Sequence, residues 1–127
     1  MGGEAESRVD ALAQRVKAVL ESADLSGFAD FLDPNVQWGA PDDPVPSCQN
    51  RDQVLRWYER GRAEGTRADV VSVEAHGDKI LVQLRVCNLS DPTTEHERWQ
   101  VMRCKADRIV DMRGFESRDE ALANVVG

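Results

Sequence analysis

Residues 69–89 read DVVSVEAHGDKILVQLRVCNL, and they give the clearest indication of the type of fold. β-Branched and apolar side chains dominate it, and the helical spacing seen before it gives way to the two-residue period of a β-strand. Gly77 and Asp78 stand near its centre, and glycine in the first position suits the two-residue turn of an antiparallel hairpin. The stretch therefore predicts two strands, at residues 69–76 and 79–89, joined by a tight turn.

Two further strands are predicted after the hairpin. Residues 95–105 and 108–115 have the same pattern, and Ala106 and Asp107 form a second short turn between them. Residues 90–94 make the longer connection back to the hairpin. Four successive strands with short connections predict an antiparallel meander.

The residues before the hairpin are predicted to be mainly helical. Residues 8–22 place apolar side chains three and four positions apart, behind a helix-capping pattern at Ser7 and Asp10. A short second helix after Ser26 must end before Pro34. A short strand is predicted at residues 36–38, ahead of a third helix.

Asn50 can cap that third helix, and Gly65 is a natural stop for it. Ser117 repeats the capping pattern and predicts a short tail helix. Residues 39–47 contain three prolines, which predicts an irregular loop at a rim or lid. Residues 1–6 are expected to be disordered.

Helices that precede an antiparallel meander indicate the α+β class and exclude an alternating, doubly wound sheet. With 127 residues, we expect a single domain spanning 1–127. At this length one hydrophobic core can support the fold without metal or disulfide cross-links.

Charge and cysteine content narrow the function classes. The chain has 16 basic and 23 acidic residues and a net charge of −7, which argues against nucleic acid or an anionic membrane as partner. It shows neither a signal-peptide pattern nor an apolar run of ~20 residues, so a cytoplasmic location is expected. Three cysteines without Cys-x-x-Cys spacing predict reduced thiols and no metal site. No phosphate-binding glycine loop occurs, and we expect no cofactor.

Three segments carry a resemblance to a known family: residues 28–38 (FADFLDPNVQW), the helix start at residues 50–58, and residues 107–115 (DRIVDMRGF). With the order of the elements, they resemble the nuclear transport factor 2-like superfamily, and in particular its small SnoaL-like members. The resemblance implies a cone-shaped roll, in which a strongly curved, mainly antiparallel sheet wraps the N-terminal helices. It also implies a deep, mostly apolar pocket at the open end.

Members of this superfamily include steroid isomerases, polyketide cyclases, epoxide hydrolases and dehydratases, as well as proteins that only bind or dimerise, so the fold does not select a function. Matching the isomerase pattern puts residues 39–40 at the position of the base and Gln100 at that of the protonated acid. Matching the epoxide hydrolase pattern puts residues 85–87 at its Arg-x-Asp pair and Gly114 at its second acid. The missing carboxylates favour binding over catalysis.

His96 is the candidate catalytic residue. Strand alternation places it on one face with Arg98 and Gln100. On a pocket face, His96 could act as a general base or donate a hydrogen bond to a bound carbonyl. The alternative is a solvent-exposed histidine at the start of a strand.

Arg85 is the charge that interrupts an apolar strand. It either points into the pocket, towards a carboxylate or an anionic ligand, or lies on an outer face at a dimer contact, and both readings stay open. Trp99 has the opposite parity to His96 and is expected on the outer sheet face, which favours a homodimer through the sheet. The candidate ligand-binding residues are Trp38, Trp57, Tyr58, Arg85, Cys87, Arg98, Gln100 and Met112.

These observations support three functions. The first is a binding protein that holds a small hydrophobic molecule in an apolar pocket. The second is a cofactor-free cyclase, isomerase or hydrolase of polyketide- or steroid-like substrates, with His96 as general base. The third is a dimerisation scaffold without catalysis.

Overall fold

The structure is a computed structural model that describes residues 3–22, 25–39 and 48–126. Its elements, in chain order, are α1 (Gly3–Ser22), α2 (Leu25–Ala29), β1 (Leu32–Gly39), α3 (Arg51–Ala63), β2 (Thr66–His76), β3 (Lys79–Asn88), β4 (Asp91–Lys105), β5 (Arg108–Phe115) and α4 (Arg118–Val126).

The five strands form one curved, mixed sheet in the order β1-β5-β4-β3-β2. β1 runs parallel to β5, and the other neighbours are antiparallel. The sheet is thus the predicted meander with one strand added at the edge of β5. The α+β class and the mainly antiparallel sheet are confirmed.

The main core lies between the inner face of the sheet and helices α1, α2 and α3. Val16 of α1, Phe28 of α2 and Val54 of α3 are all buried there. They pack against inward-facing side chains of the sheet such as Ile80 and Met102. The helical apolar stripe and the strand alternation meet in this layer, which fixes which strand residues face inward.

A second, smaller cluster lies on the outer face under α4. Ala121 and Val125 of α4 pack there with Leu81, Val101 and Phe115, and Trp99 lies partly buried at its edge. β3 therefore has buried residues on both faces, and this explains why residues 80–82 are continuously apolar. An exposed Trp99 on the outer face was expected, but the tail helix covers much of that face.

The caps predicted for α3 and α4 and the turn at Gly77 occur as expected, whereas the capping pattern at Ser7 lies within α1. Asn50 caps α3, because its side-chain Oδ1 accepts a hydrogen bond from the Gln53 backbone N–H at 2.9 Å. The Ser117 hydroxyl oxygen likewise accepts from the Glu120 N–H at 3.2 Å at the start of α4. Gly77 opens the first hairpin turn with φ of 62°.

Several boundaries differ from the prediction. α1 begins at Gly3 instead of residue 8, so four of the six residues expected to be disordered belong to it. α2 begins at Leu25, one residue before the expected Ser26 cap. β1 is longer than residues 36–38 and includes Pro34, which an edge strand with an irregular register accommodates. Residues 40–47, most of the proline-rich loop, lie outside the described residues.

Among the described residues, no helix has both the length and the apolar character needed to cross a bilayer. All three cysteines carry free thiols. Burial raises the pKa of Cys104 to about 12, so this thiol stays protonated and inert.

Candidate ligand-binding site

A cavity of about 920 Å³ lies between the three N-terminal helices and the inner face of the sheet. Phe28, Cys48, Leu84 and Gln100 line it and are buried, so they form its floor. Trp57 and His96 also line it but are exposed, so they mark its mouth. The volume lies in the range of small-molecule sites.

One wall of the cavity is aromatic. The rings of Trp38 and Tyr58 are stacked, with centroids 5.0 Å apart and an interplanar angle of 24°. The ring centroids of Trp57 and Trp38 are 4.4 Å apart in an edge-on arrangement. Those of Phe28 and Tyr58 are 5.4 Å apart, with an interplanar angle of 89°. Three elements supply this wall: α2 provides Phe28, α3 provides the adjacent Trp57 and Tyr58, and the end of β1 provides Trp38.

Cys48 ties the end of β1 to the residues before α3. Its backbone N–H donates to the Trp38 carbonyl, and the Trp38 N–H donates to the Cys48 carbonyl, both at 2.9 Å. The Cys48 thiol lines the cavity, and burial raises its pKa. A protonated thiol is a weak nucleophile, so Cys48 contributes surface to the site and not chemistry.

The polar side of the cavity is a row on β4. His96, Arg98 and Gln100 occupy alternate positions and all line the cavity, as strand alternation predicted. Their exposure falls along the row: His96 is exposed, Arg98 is half-buried and Gln100 is only 7% exposed. The row thus runs from the mouth to the floor.

Tyr58 and Gln100 form a hydrogen-bonded pair at the floor. Burial raises the pKa of Tyr58 to about 12, although the hydrogen bond from Gln100 opposes part of this shift. The phenol is therefore neutral at any physiological pH and is a hydrogen-bonding group, not a base. The Gln100 side-chain oxygen Oε1 is buried and has no hydrogen-bond partner among the described residues.

His96 has a defined tautomer when neutral. Its ring Nδ1 lies 2.7 Å from the Thr94 carbonyl oxygen, which only accepts hydrogen bonds. Nδ1 must therefore carry the proton, and Nε2 is left with a free lone pair. This is the arrangement that a general base requires, but His96 is at the mouth of the cavity.

Carboxylates are scarce at the cavity. Within residues 3–22, 25–39 and 48–126, the acidic side chains that line it are Glu116 and Glu120, and both are exposed. The described part of the floor therefore offers hydroxyl, amide and thiol groups but no carboxylate.

Three of the expected ligand-binding residues lie away from the cavity wall. Arg85 and Cys87 project from the outer face of β3, because Leu84 and Val86 are the residues of that strand that line the cavity. Arg85 is exposed and pairs with Glu95, at 3.5 Å from Nε to Oε1. Of the two readings of Arg85, the structure favours the outer face.

Met112, the third, does face inward, but it is fully buried in the core below the cavity. The other expected residues line the cavity: Trp38, Trp57, Tyr58, Arg98 and Gln100.

Other lining residues escaped the sequence analysis, although the sequence carries a signal for most of them. Gly61 and Arg62 follow Trp57 and Tyr58 by one helical turn, so they share a face of α3. Leu84 and Val86 have the same parity as Val82 of the core. On β2, the lining residues Thr66, Ala68 and Val70 also alternate.

No cluster of three or more metal-ligating side chains occurs in the part of the chain that the structure describes. The polar groups at the cavity include amide, phenol, guanidinium and imidazole groups, which suit hydrogen bonding to an organic molecule.

The comparisons with known proteins agree on the fold. The sequence profile of the SnoaL-like domain matches residues 13–112. The search of curated proteins found no match. The solved structures with similar folds include an epoxide hydrolase of the LEH type from M. tuberculosis, which is 10% identical with a TM-score of 0.67, over 95% of this chain and 91% of that one.

Two other similar structures have somewhat higher TM-scores than the epoxide hydrolase. A candidate ketosteroid isomerase from Kribbella flavida is 15% identical with a TM-score of 0.72, over 89% of this chain and 80% of that one. An NTF2-like protein of unknown function from Mesorhizobium loti is 16% identical with a TM-score of 0.70, over 88% and 93%. At these identities the similarity establishes the fold and leaves the activity open.

Proposed function

The chain belongs to the family of SnoaL-like domains within the NTF2-like superfamily, and on that basis we propose that it binds a small, mostly apolar molecule in the cavity between helices and sheet. Trp38, Tyr58 and Leu84 would supply the apolar contact. Arg98 and Gln100 would supply the polar contacts that fix the orientation of the molecule.

The observation that carries the proposal is the composition of the cavity lining. Its floor is aromatic and aliphatic, and the polar groups of its described part are the neutral Tyr58 phenol, the Gln100 amide and the protonated Cys48 thiol. Binding sites for small molecules typically combine an apolar surface with a few convergent polar groups. Proton transfer would need a well-placed base, and the described part of the floor has no carboxylate to serve as one.

Two measurements test the proposal together. Native mass spectrometry of freshly purified protein should show a retained small molecule. A panel of steroids, polyketide-like aromatics and fatty acids should include compounds that raise the melting temperature, because a ligand that binds the folded state stabilises it. No retained molecule and no shift across the panel would contradict the proposal.

A cavity-filling variant makes this test specific. A Cβ atom at Gly61 would meet the Thr66 Cβ at 3.7 Å, an ordinary contact, and both residues line the cavity. Gly61→Leu should therefore fold and abolish the ligand-induced shift. Glu59→Leu adds leucine at an exposed position of α3 outside the cavity lining and should leave the shift intact.

A second candidate function is proton transfer with His96 as base. The free lone pair on Nε2 favours it, and the exposed position of the ring counts against it. Incubating the protein with a β,γ-unsaturated ketosteroid in D₂O tests this directly. Isomerisation or deuterium uptake that disappears in His96→Ala would support the enzyme, whereas no change in the steroid would favour binding alone.

A further inference from the structure

Arg98 is a positive charge on the wall of the cavity. Its side chain is half-buried, and it forms no ion pair or hydrogen bond with any described residue. Burying part of a guanidinium costs free energy unless an acceptor compensates for the lost water. The group is therefore suited to an anion that arrives with the ligand.

Two further arginines line the same cavity as Arg98, although the chain as a whole is acidic, with a net charge of −7. These are Arg62 and Arg67, and the exposed Glu116 and Glu120 also line the cavity. The Arg67 guanidinium already donates to the carbonyl oxygens of Arg62 and Thr66, at 3.2 and 2.8 Å. Arg98 is thus better placed than Arg67 to bind a new partner.

Gln100 supplies a second unsatisfied group. Gln100 is only 7% exposed, and its buried Oε1 has no hydrogen-bond partner among the described residues. A buried acceptor without a hydrogen bond destabilises the unliganded protein, so a ligand that satisfies it gains affinity. A hydroxyl both donates and accepts, and it therefore suits the free end of this amide in either orientation.

The two groups are close together on the cavity wall. Gln100 and Gly114 are paired residues of β4 and β5. A Cβ atom built on Gly114 would lie 3.1 Å from Nη2 of Arg98, so the guanidinium lies over this glycine. Side chains at paired positions are about 5 Å apart, so the guanidinium and the Gln100 amide are neighbours.

From this juxtaposition we infer the chemical class of the ligand, an inference that rests on the proposed binding function. The ligand is an apolar, ring-containing acid with a hydroxyl on a carbon near the acidic group. Its anion pairs with Arg98, its hydroxyl bonds to Gln100, and its ring lies against the aromatic wall of Trp38 and Tyr58.

Three matched probes test the inference: 3-hydroxy-2-naphthoate, 2-naphthoate without the hydroxyl, and 2-naphthol without the acid. Affinities come from calorimetry at neutral pH and constant salt. A hydrogen bond to a charged group contributes enough for a change of about 10- to 100-fold in affinity. We expect 3-hydroxy-2-naphthoate to bind tightest and 2-naphthol to bind at least ~10-fold more weakly.

Two variants measure how much Arg98 and Gln100 each contribute to the affinity of the probes. Arg98→Gln should weaken both naphthoates about 10-fold or more and leave 2-naphthol unchanged. Gln100→Leu should weaken the two hydroxylated probes and leave 2-naphthoate unchanged. Arg85→Gln removes an arginine from the outer face of the neighbouring strand and should alter none of the three affinities.

The outcomes separate the inference from the proposal beneath it. Three probes of equal affinity, or an Arg98→Gln variant that binds 3-hydroxy-2-naphthoate as the native protein does, would overturn the inferred ligand class and leave apolar binding intact. If no probe binds and the wider panel also gives no melting shift, both fail.

Discussion

At the scale of single residues, two glycines leave space that the site uses. Gly61 on α3 and Gly114 on β5 both line the cavity. A side chain at Gly114 would press on the Arg98 guanidinium at 3.1 Å, whereas one at Gly61 would meet Thr66 at an ordinary 3.7 Å. The sequence alone could not distinguish them, because that contrast depends on a neighbouring strand and on the turn that follows α3.

Gly61→Ala is expected to stabilise the protein. Gly61 lies within α3, where alanine is favoured over glycine by up to about 1 kcal/mol, and the added methyl group has space. Urea denaturation should show an increase of that order in the free energy of unfolding. A decrease would mean that the cavity wall at Gly61 is tighter than its contacts indicate.

The turn between β4 and β5 contains two residues with positive φ, and the more strained of them can be relieved by substitution. Ala106 and Asp107 have φ of 51° and 66°, the left-handed values required by a type I′ turn. Residues other than glycine, asparagine and aspartate are strained there, so the strain falls on Ala106. The double substitution Ala106→Asn with Asp107→Gly should raise the free energy of unfolding by about 1 kcal/mol.

Gly77→Ala, in the other hairpin turn, should have the opposite effect and destabilise the protein. Gly77 has φ of 62° and no atom within 4 Å of an added Cβ, so only the backbone conformation opposes alanine. Chemical denaturation should show a loss of about 1–2 kcal/mol. If the two hairpin turns respond in the same direction, the account of backbone strain fails.

At the scale of elements, the sequence predicted most of what the structure contains, and its omissions have a physical cause. The inward row of His96, Arg98 and Gln100 was predictable, because β4 alternates there. The outward direction of Arg85 was not, because β3 packs against the core on one face and has Leu81 under α4 on the other. Continuous burial removes the alternation from which the direction of Arg85 could have been inferred.

An ion pair between Glu74 of β2 and Arg118 connects helix α4 to the sheet, and its contribution to stability should depend on pH. Arg118 Nη1 lies 2.9 Å from Glu74 Oε2, and its hydrogen bond lowers the pKa of Glu74 below the usual 4.5. Because the pKa of Glu74 is lower in the folded than in the unfolded state, the ion pair stabilises the fold at pH values above the unfolded pKa. This stabilisation is lost as the pH falls through the folded pKa.

Glu74→Gln should therefore reduce the free energy of unfolding near neutral pH. Because the pair is 36–44% exposed, the reduction should not exceed about 1 kcal/mol. The difference between native and variant protein should shrink towards zero in acid. Glu97→Gln, at an exposed position on β4, is the control; a pH-independent loss in Glu74→Gln would exclude the ion pair as its cause.

At the scale of the whole molecule, one sheet has two covered faces with different roles. The outer face is partly closed by α4 with an apolar cluster, and the inner face encloses the cavity. Trp99 belongs to the closed outer cluster. Trp99→Glu would therefore disturb the packing of α4 itself and is a poor test of association.

A homodimer through the sheet stays a prediction. Sedimentation equilibrium of the unaltered chain tests it, and we expect the mass of two chains. A single-chain mass across the concentration range would contradict it, and it would leave the binding proposal unaffected, because the cavity is lined within one chain.

The central claim is that the cavity admits an apolar molecule, and calorimetric titration with 2-naphthol at several temperatures tests it most directly. We predict one binding site per chain, a negative heat-capacity change from buried apolar surface, and loss of binding in Gly61→Leu but not in Glu59→Leu. Binding of 2-naphthol that is equal in both variants, or absent together with the melting shift across the wider ligand panel, would contradict the claim.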